Sequence, residues 1–267
     1  MRLNAIRNTN SKSLIALILA SSLVLELWLI WKLPIMYWDL PGDLDLYLGR
    51  TIELVISVGL IWFFAPDSLR FLKFKIIDFG WLYALLVFGA LLLPSIVFMF
   101  LDHSPFSGFF GALPFSLFIG LDEEFFNRVF IYGLLERFGK EFALAVSALI
   151  FGLLHFSNFL FGGESFNYVI GHVISAVGFG YLMGVLMITT GSIWLPVMLH
   201  ASVDTRWMAM TNDAYDAIVS GNTNWLMVIG QFTLMVLSSR VLLSLHSSEF
   251  KAPRTFESSL RFLGLIE

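Results

Sequence analysis

Apolar residues run along this chain in stretches too long for the helices of an ordinary water-soluble domain, and few polar residues interrupt them. Crossing the hydrocarbon core of a bilayer takes about 20 mostly apolar residues as a helix. Runs of this kind lie near 13–31, 48–65, 79–101, 108–138, 141–159, 168–190, 192–210 and 224–245, which predicts about eight transmembrane helices. The fourth run is long and holds Pro114 and a cluster of charges, so it reads as a short segment followed by a helix or as one tilted helix. The fifth and seventh are shorter and carry polar residues. The first follows Arg2, Arg7 and Lys12 and continues through Trp31 with no convincing A-x-A site, so it reads as a retained span rather than a cleaved signal. With no internal repeat, low-complexity tract or long linker, the expectation is an all-α polytopic protein, a single membrane domain over residues 1–267.

Composition strengthens this picture. The chain is 58% hydrophobic and 13% charged, with 28 Phe and 8 Trp, against about 25% charged residues in a typical soluble domain. Disorder is excluded by the abundance of apolar surface. A formal net charge of −4 and only short basic clusters argue against nucleic acid as a partner. Cysteine is absent, which removes disulfides, thiolate nucleophiles and Cys-ligated metals.

The basic residues set an orientation. Arg2, Arg7 and Lys12, then Arg70, Lys73 and Lys75, then Arg137 and Lys140, then Lys251, Arg254 and Arg261 all fall on one side if the spans alternate. Asp39, Asp43, Asp45, Asp102, Glu164, Asp213 and Asp216 fall on the other, with Lys32 and Arg50 as exceptions. The positive-inside rule then puts both termini in the cytoplasm. The short loops favour a bacterial inner membrane over an organelle membrane.

Three places break the apolar pattern. Ionisable groups within a span cost about 2.5–3.5 kcal/mol each on insertion scales, so they usually face a protein interior or a wet cavity. The first is Asp122-Glu123-Glu124-Phe125-Phe126-Asn127-Arg128. Glu124 and Arg128 are four apart and can pair on one helical face, while Glu123 points about 100° away and is left without that cation, free to act as a base. An interfacial turn is the alternative for these acids. The second is Phe151-Gly152-Leu153-Leu154-His155, where the Phe151 ring can wall the imidazole one turn on. A hydrogen-bonded structural role is the alternative for His155. The third is His200-Ala201-Ser202-Val203-Asp204, again spaced to share a face. Here Asp204 can orient His200, both can bind a metal, or Asp204 can cap a helix. Packed together, the three would form a polar centre suited to activating water, with Glu123 and His155 taking the proton or a divalent metal acidifying it. His172 reads as structural, His103 and His246 as span ends, Arg206 as outside the site, and Gly178, Gly180 and Gly184 as a close helix-packing face.

Glu-Glu-x-x-x-Arg, Phe-x-x-x-His and His-x-x-x-Asn/Asp, in this order on successive helices, resemble the motifs of the CPBP (CAAX protease and bacteriocin-processing) family of intramembrane endopeptidases, which includes the type II CAAX prenyl endopeptidases. Gly180 to Gly184, and Thr190 through Pro196 leading to His200, look like the family's approach to its last motif. The likeness covers residues 110–210, the expected catalytic core. It implies a protease cutting a membrane-associated CAAX-type or bacteriocin-related peptide or protein. Glu123 and His155 would then activate the attacking water, Glu124 and Arg128 support the site, and His200 and Asp204 stand where the family stabilises an oxyanion. The family's commoner residue at position 204 is Asn. An ionised Asp would repel an oxyanion, so Asp204 is either protonated, orients His200 or binds metal. Glu123, His155, His200 and Asp204 would be the ligands if a metal such as zinc is used. A proton-coupled transporter and a non-proteolytic immunity or scaffold protein on the same fold are the competing readings. Many transporters carry internal repeats, and none is visible here.

Overall fold

The computed structural model describes residues 44–73, 106–210, 212–220 and 223–246. Helices are numbered here among the described residues. The expected spans 13–31 and 79–101, and the charges Arg2, Arg7, Lys12, Lys32, Asp39, Asp43, Lys75, Asp102, Lys251, Arg254 and Arg261, lie outside them, as does His103.

All regular structure among the described residues is helical. Helix α1 (Leu44–Phe64) runs into a 3-10 turn at Pro66–Leu72. Helix α2 (Phe106–Glu124) continues without a break into a π-helical stretch at Phe125–Ile131, then α3 (Tyr132–Leu135) and a 3-10 turn at Glu136–Phe138. The fourth expected run is therefore one rod with a widened turn in its middle, and Pro114 lies inside its helical first half. Next come α4 (Lys140–Leu154), α5 (Ser157–Phe161), α6 (Phe166–Thr190), α7 (Trp194–Met208), α8 (Asn212–Val219) and α9 (Trp225–His246).

Among the described residues, four stretches are long and apolar enough to cross a membrane: Tyr47–Phe64, Lys140–Leu160, Phe166–Thr190 and Trp225–His246. The 108–138 run is helical but carries the acids. The 192–210 run condenses to the 15-residue α7, about 22 Å long at 1.5 Å per residue, short of the roughly 30 Å hydrocarbon core. Of the eight expected spans two lie outside the described residues, and of the other six four meet the length and apolarity of a span, so the count of eight is not confirmed.

Helix α6 is the central one. It packs against both α4 and α9, while α7 lies along α2, and α1 covers α2 and the π stretch. In α6, 61% of the spanning window is buried, against 22% in α1 and in α9. The outward faces of these two carry exposed Val55, Trp62, Phe63, Leu226, Leu234 and Leu237. Such faces suit lipid rather than water.

Small residues set the close approaches. A Cβ on Gly120 would stand 2.8 Å from the Val197 carbonyl oxygen and 3.1 Å from the Ala201 nitrogen, so α2 meets α7 backbone to backbone. The expected glycine face of α6 is also used: Gly178 receives Phe232 of α9, and Gly180 receives Phe151 and Ala148 of α4. Helix α6 ends at Gly191, whose φ of 63° is the left-handed cap that glycine adopts at little cost.

The loops gather at two ends with opposite charge. At one end the Ile193 N–H donates to Phe71 O at 2.9 Å, Trp194 Nε1 donates to Leu72 O at 2.9 Å, and Arg70 Nη2 meets Glu136 at 2.5 Å. Arg70, Lys73, Arg137 and Lys140 cluster there. At the other end Thr223 Oγ1 donates to Asn167 O at 2.9 Å and the Tyr215 hydroxyl donates to Glu164 at 2.7 Å. Burial, and then that carboxylate, push the Tyr215 phenol above its ordinary pKa.

Replacing Gly120 with Leu is expected to force α2 from α7 and lower stability by about 1–3 kcal/mol, read as a lower melting temperature in detergent. A wild-type melting curve would contradict the backbone contact.

Candidate active site

The widened turn sits immediately after the acids. Its i→i+5 bonding shows at Tyr132, whose N–H reaches Asn127 O. Turns of this type often mark functional sites, because they re-aim side chains within a helix. The Asn127 side chain donates back to Glu123 O at 2.9 Å and pins the junction. Asp122, Glu124 and Arg128 are fully buried.

Glu124 pairs with Arg128, as the spacing predicts, with Nε 3.1 Å from Oε2. The guanidinium lies 4.3 Å from the centre of the Phe151 ring, a cation–π contact that helps hold a buried charge. The other Glu124 oxygen accepts from His200 Nδ1 at 2.8 Å. One carboxylate thus joins the π stretch to α7.

Glu123 departs from expectation. It has a cation of its own: Arg50 Nη1, 3.2 Å from Oε1. The same nitrogen lies 2.9 Å from Asp122 and 3.6 Å from Glu53. Sequence reasoning left Arg50 and Asp122 out of the site. The signal was present, since Arg50 stood out as a basic residue on the acidic side of the chain, within an apolar helix that also holds Glu53.

On the other side of Glu123, Oε2 is 3.5 Å from His200 Nε2. That nitrogen is also 3.6 Å from Asp204 Oδ2, one turn along α7. Glu123, Glu124, Arg128, His200 and Asp204 therefore form one contiguous group. Its accessible carboxylates are Glu123 and Asp204, with side chains 16% and 21% exposed.

His155 is adjacent rather than bonded to this group. Helix α4 stops at Leu154, and His155 Nδ1 donates to Phe151 O at 2.9 Å. The Phe151 ring lies 4.9 Å from the His155 ring and 5.6 Å from His200, so it walls both imidazoles. No hydrogen bond or ion pair joins His155 to Glu123 among the described residues. His172 brings its ring to 4.6 Å from His155, and its Nδ1 has no hydrogen-bond partner there. Arg206 lies over Trp207, 4.9 Å from the ring centre.

Glu123, His155, His200 and Asp204 are the expected ligands if a metal is used. No group of three or more His, Cys, Asp or Glu among the described residues is arranged to hold one. Glu124 engages the Nδ1 of His200, and Arg50 engages Glu123. The quartet is therefore not set as a preformed metal centre.

Residues 104–206 match the family model of the type II CAAX prenyl endopeptidase Rce1-like proteins. No curated protein and no solved structure matches the chain. The matched stretch contains all three motifs and agrees with the CPBP resemblance. The family is one of proteases, and the long apolar helices make the chain an integral membrane protein.

Arg50→Gln is expected to cost about 3–5 kcal/mol, because it leaves buried carboxylates uncompensated. Arg70→Gln, at an exposed pair, is expected to cost about 1 kcal/mol or less. Unfolding in detergent compares the two, and equal losses would refute the special place of Arg50.

Proposed function

We propose that the chain is an intramembrane endopeptidase that hydrolyses a peptide bond of a membrane-associated substrate, with water activated by Glu123 and His155. The observation that carries this is the placement of His200 Nε2 within 3.5 Å of Glu123 and 3.6 Å of Asp204, beside the partly accessible face of Glu123. The match of residues 104–206 to a prenyl endopeptidase family supports the same reading.

The roles follow from donor and acceptor chemistry. His155 spends its Nδ1 proton on Phe151 O, which leaves the Nε2 lone pair to accept from a water. Glu123 takes the proton as the water oxygen attacks the carbonyl carbon. The C–O bond forms, and the negative charge moves to the carbonyl oxygen. Both nitrogens of His200 face carboxylates, an arrangement that is favourable when each carries a proton. The Nε2–H can then donate to the oxyanion. Glu124 and Asp204 orient this ring, so Asp204 acts through His200 and does not itself meet the oxyanion. The tetrahedral intermediate collapses as Glu123 delivers its proton to the amide nitrogen, the C–N bond breaks and the amine leaves.

The charge asymmetry of the two ends supports an inner-membrane orientation with the basic end, and both termini, cytoplasmic. The substrate class is a CAAX-type or other membrane-associated peptide.

A quenched farnesylated CAAX-type peptide, assayed beside its unprenylated counterpart, tests the reading in detergent. Glu123→Gln and His155→Ala are each expected to lower turnover by about a hundredfold or more, with unchanged melting temperature. Wild-type rates in both variants would end the assignment. Asp204→Asn can still support His200, and is expected to keep turnover within about tenfold of wild type. Complete loss there would give Asp204 a direct part in the proton transfers.

A further inference from the structure

The basic end of the bundle holds a cavity that the hydrolytic group does not use. Its volume is about 310 Å³, and its walls include Arg70, Lys73, Tyr132, Glu136 and Lys140. Tyr132 is nine residues beyond Glu123, about 13 Å farther along the helical rod, so the two sites are separate.

The lining carries three cationic side chains against one carboxylate. That carboxylate is already engaged: both Glu136 oxygens meet Arg70 Nη2, at 2.6 and 2.5 Å, and the Tyr132 hydroxyl donates to Oε1 at 3.3 Å. The backbone adds to the positive character. The 15-residue α4 begins here at Lys140, after Gly139, with no side-chain cap on its first-turn N–H groups. Uncapped amides at a helix N-terminus favour an anion. Glu141, the acid of that first turn, accepts instead from Tyr181 and Arg240, at 3.1 and 2.7 Å.

The surroundings choose among anions. The cavity lies where spanning helices end, beside Phe71 and Ile188. Trp194 is anchored to Leu72 at the same end, and tryptophan concentrates at the membrane–water boundary. Trp62, Phe63 and Phe64 are exposed at the close of α1, just before the turn that presents Arg70 and Lys73. A phosphate for the cations and an apolar body for the aromatic rings are the two halves of one phospholipid.

We propose that this cavity binds the phosphodiester of an anionic phospholipid in the leaflet facing the basic end. The site holds the lipid through Arg70, Lys73, Lys140 and the first turn of α4.

Native mass spectrometry of the full chain, released from nanodiscs of mixed phosphatidylglycerol and phosphatidylcholine, counts retained lipid. Wild type is expected to keep phosphatidylglycerol selectively. Lys73→Gln and Lys140→Gln are each expected to weaken retention about fivefold. Arg206→Gln, which removes a positive charge at the far end of α7 and away from the cavity, is expected to leave retention unchanged. Melting in phosphatidylcholine alone checks the fold, and Lys73→Gln, at an exposed position, repeats the test where folding is not at risk. Equal retention by wild type and both lysine variants would overturn the proposal. So would inorganic phosphate displacing the lipid at equal concentration, which would make this a site for the free anion.

Discussion

Several carboxylates must share the interior of an apolar bundle, and two arginines make this tolerable. Removing one partner of a buried ion pair is far more costly than the pair itself is stabilising. Arg50 holds Asp122 and Glu123, and Arg128 holds Glu124. Each arginine comes from a different helical segment, so the charges can be neutralised only when α1, α2 and the π stretch are assembled. The same constraint separates the acids by role. Glu124 is fully buried, hydrogen-bonded to His200 on one side and ion-paired with Arg128 on the other, whereas Glu123 keeps a partly exposed side chain between Arg50 and His200.

Phe151 is the second organising element. One ring carries the Arg128 guanidinium and walls His155 and His200. It approaches this closely because Gly180 has no side chain, since a Cβ there would lie 3.0 Å from the ring and 3.3 Å from Arg128 Nη2. A glycine that reads in the sequence only as helix packing therefore also bears on the electrostatics of the site.

Much of this was legible in the sequence. The pair Glu124–Arg128, the shared face of His200 and Asp204, and Phe151 beside His155 all follow from one-turn spacing, which is a local property. The apolar runs located the helices for the same reason. What escaped were long-range and phase effects. Arg50 reaches Asp122 across 72 positions of chain, and no periodicity within either helix encodes that contact. The Glu124–His200 bond likewise joins two motifs across 76 positions. The end of α4 at Leu154 was also hidden, because Phe151 to Leu154 reads as uninterrupted helix. The shortness of α7 reflects Gly191 and Ser192, which end one helix and delay the next.

The widened turn at Phe125–Ile131 changes the phase of the rod that contains it. An extra residue in a helical turn rotates everything downstream by roughly 100° about the axis. The part before the turn packs along α7, and the part after it meets α4 and the 3-10 turn at Pro66–Leu72. A single continuous helix can thereby present chemistry to one neighbour and structural packing to others. One-residue indels within this heptapeptide would consequently act as rotations, swinging half of the rod out of registration with the rest of the bundle.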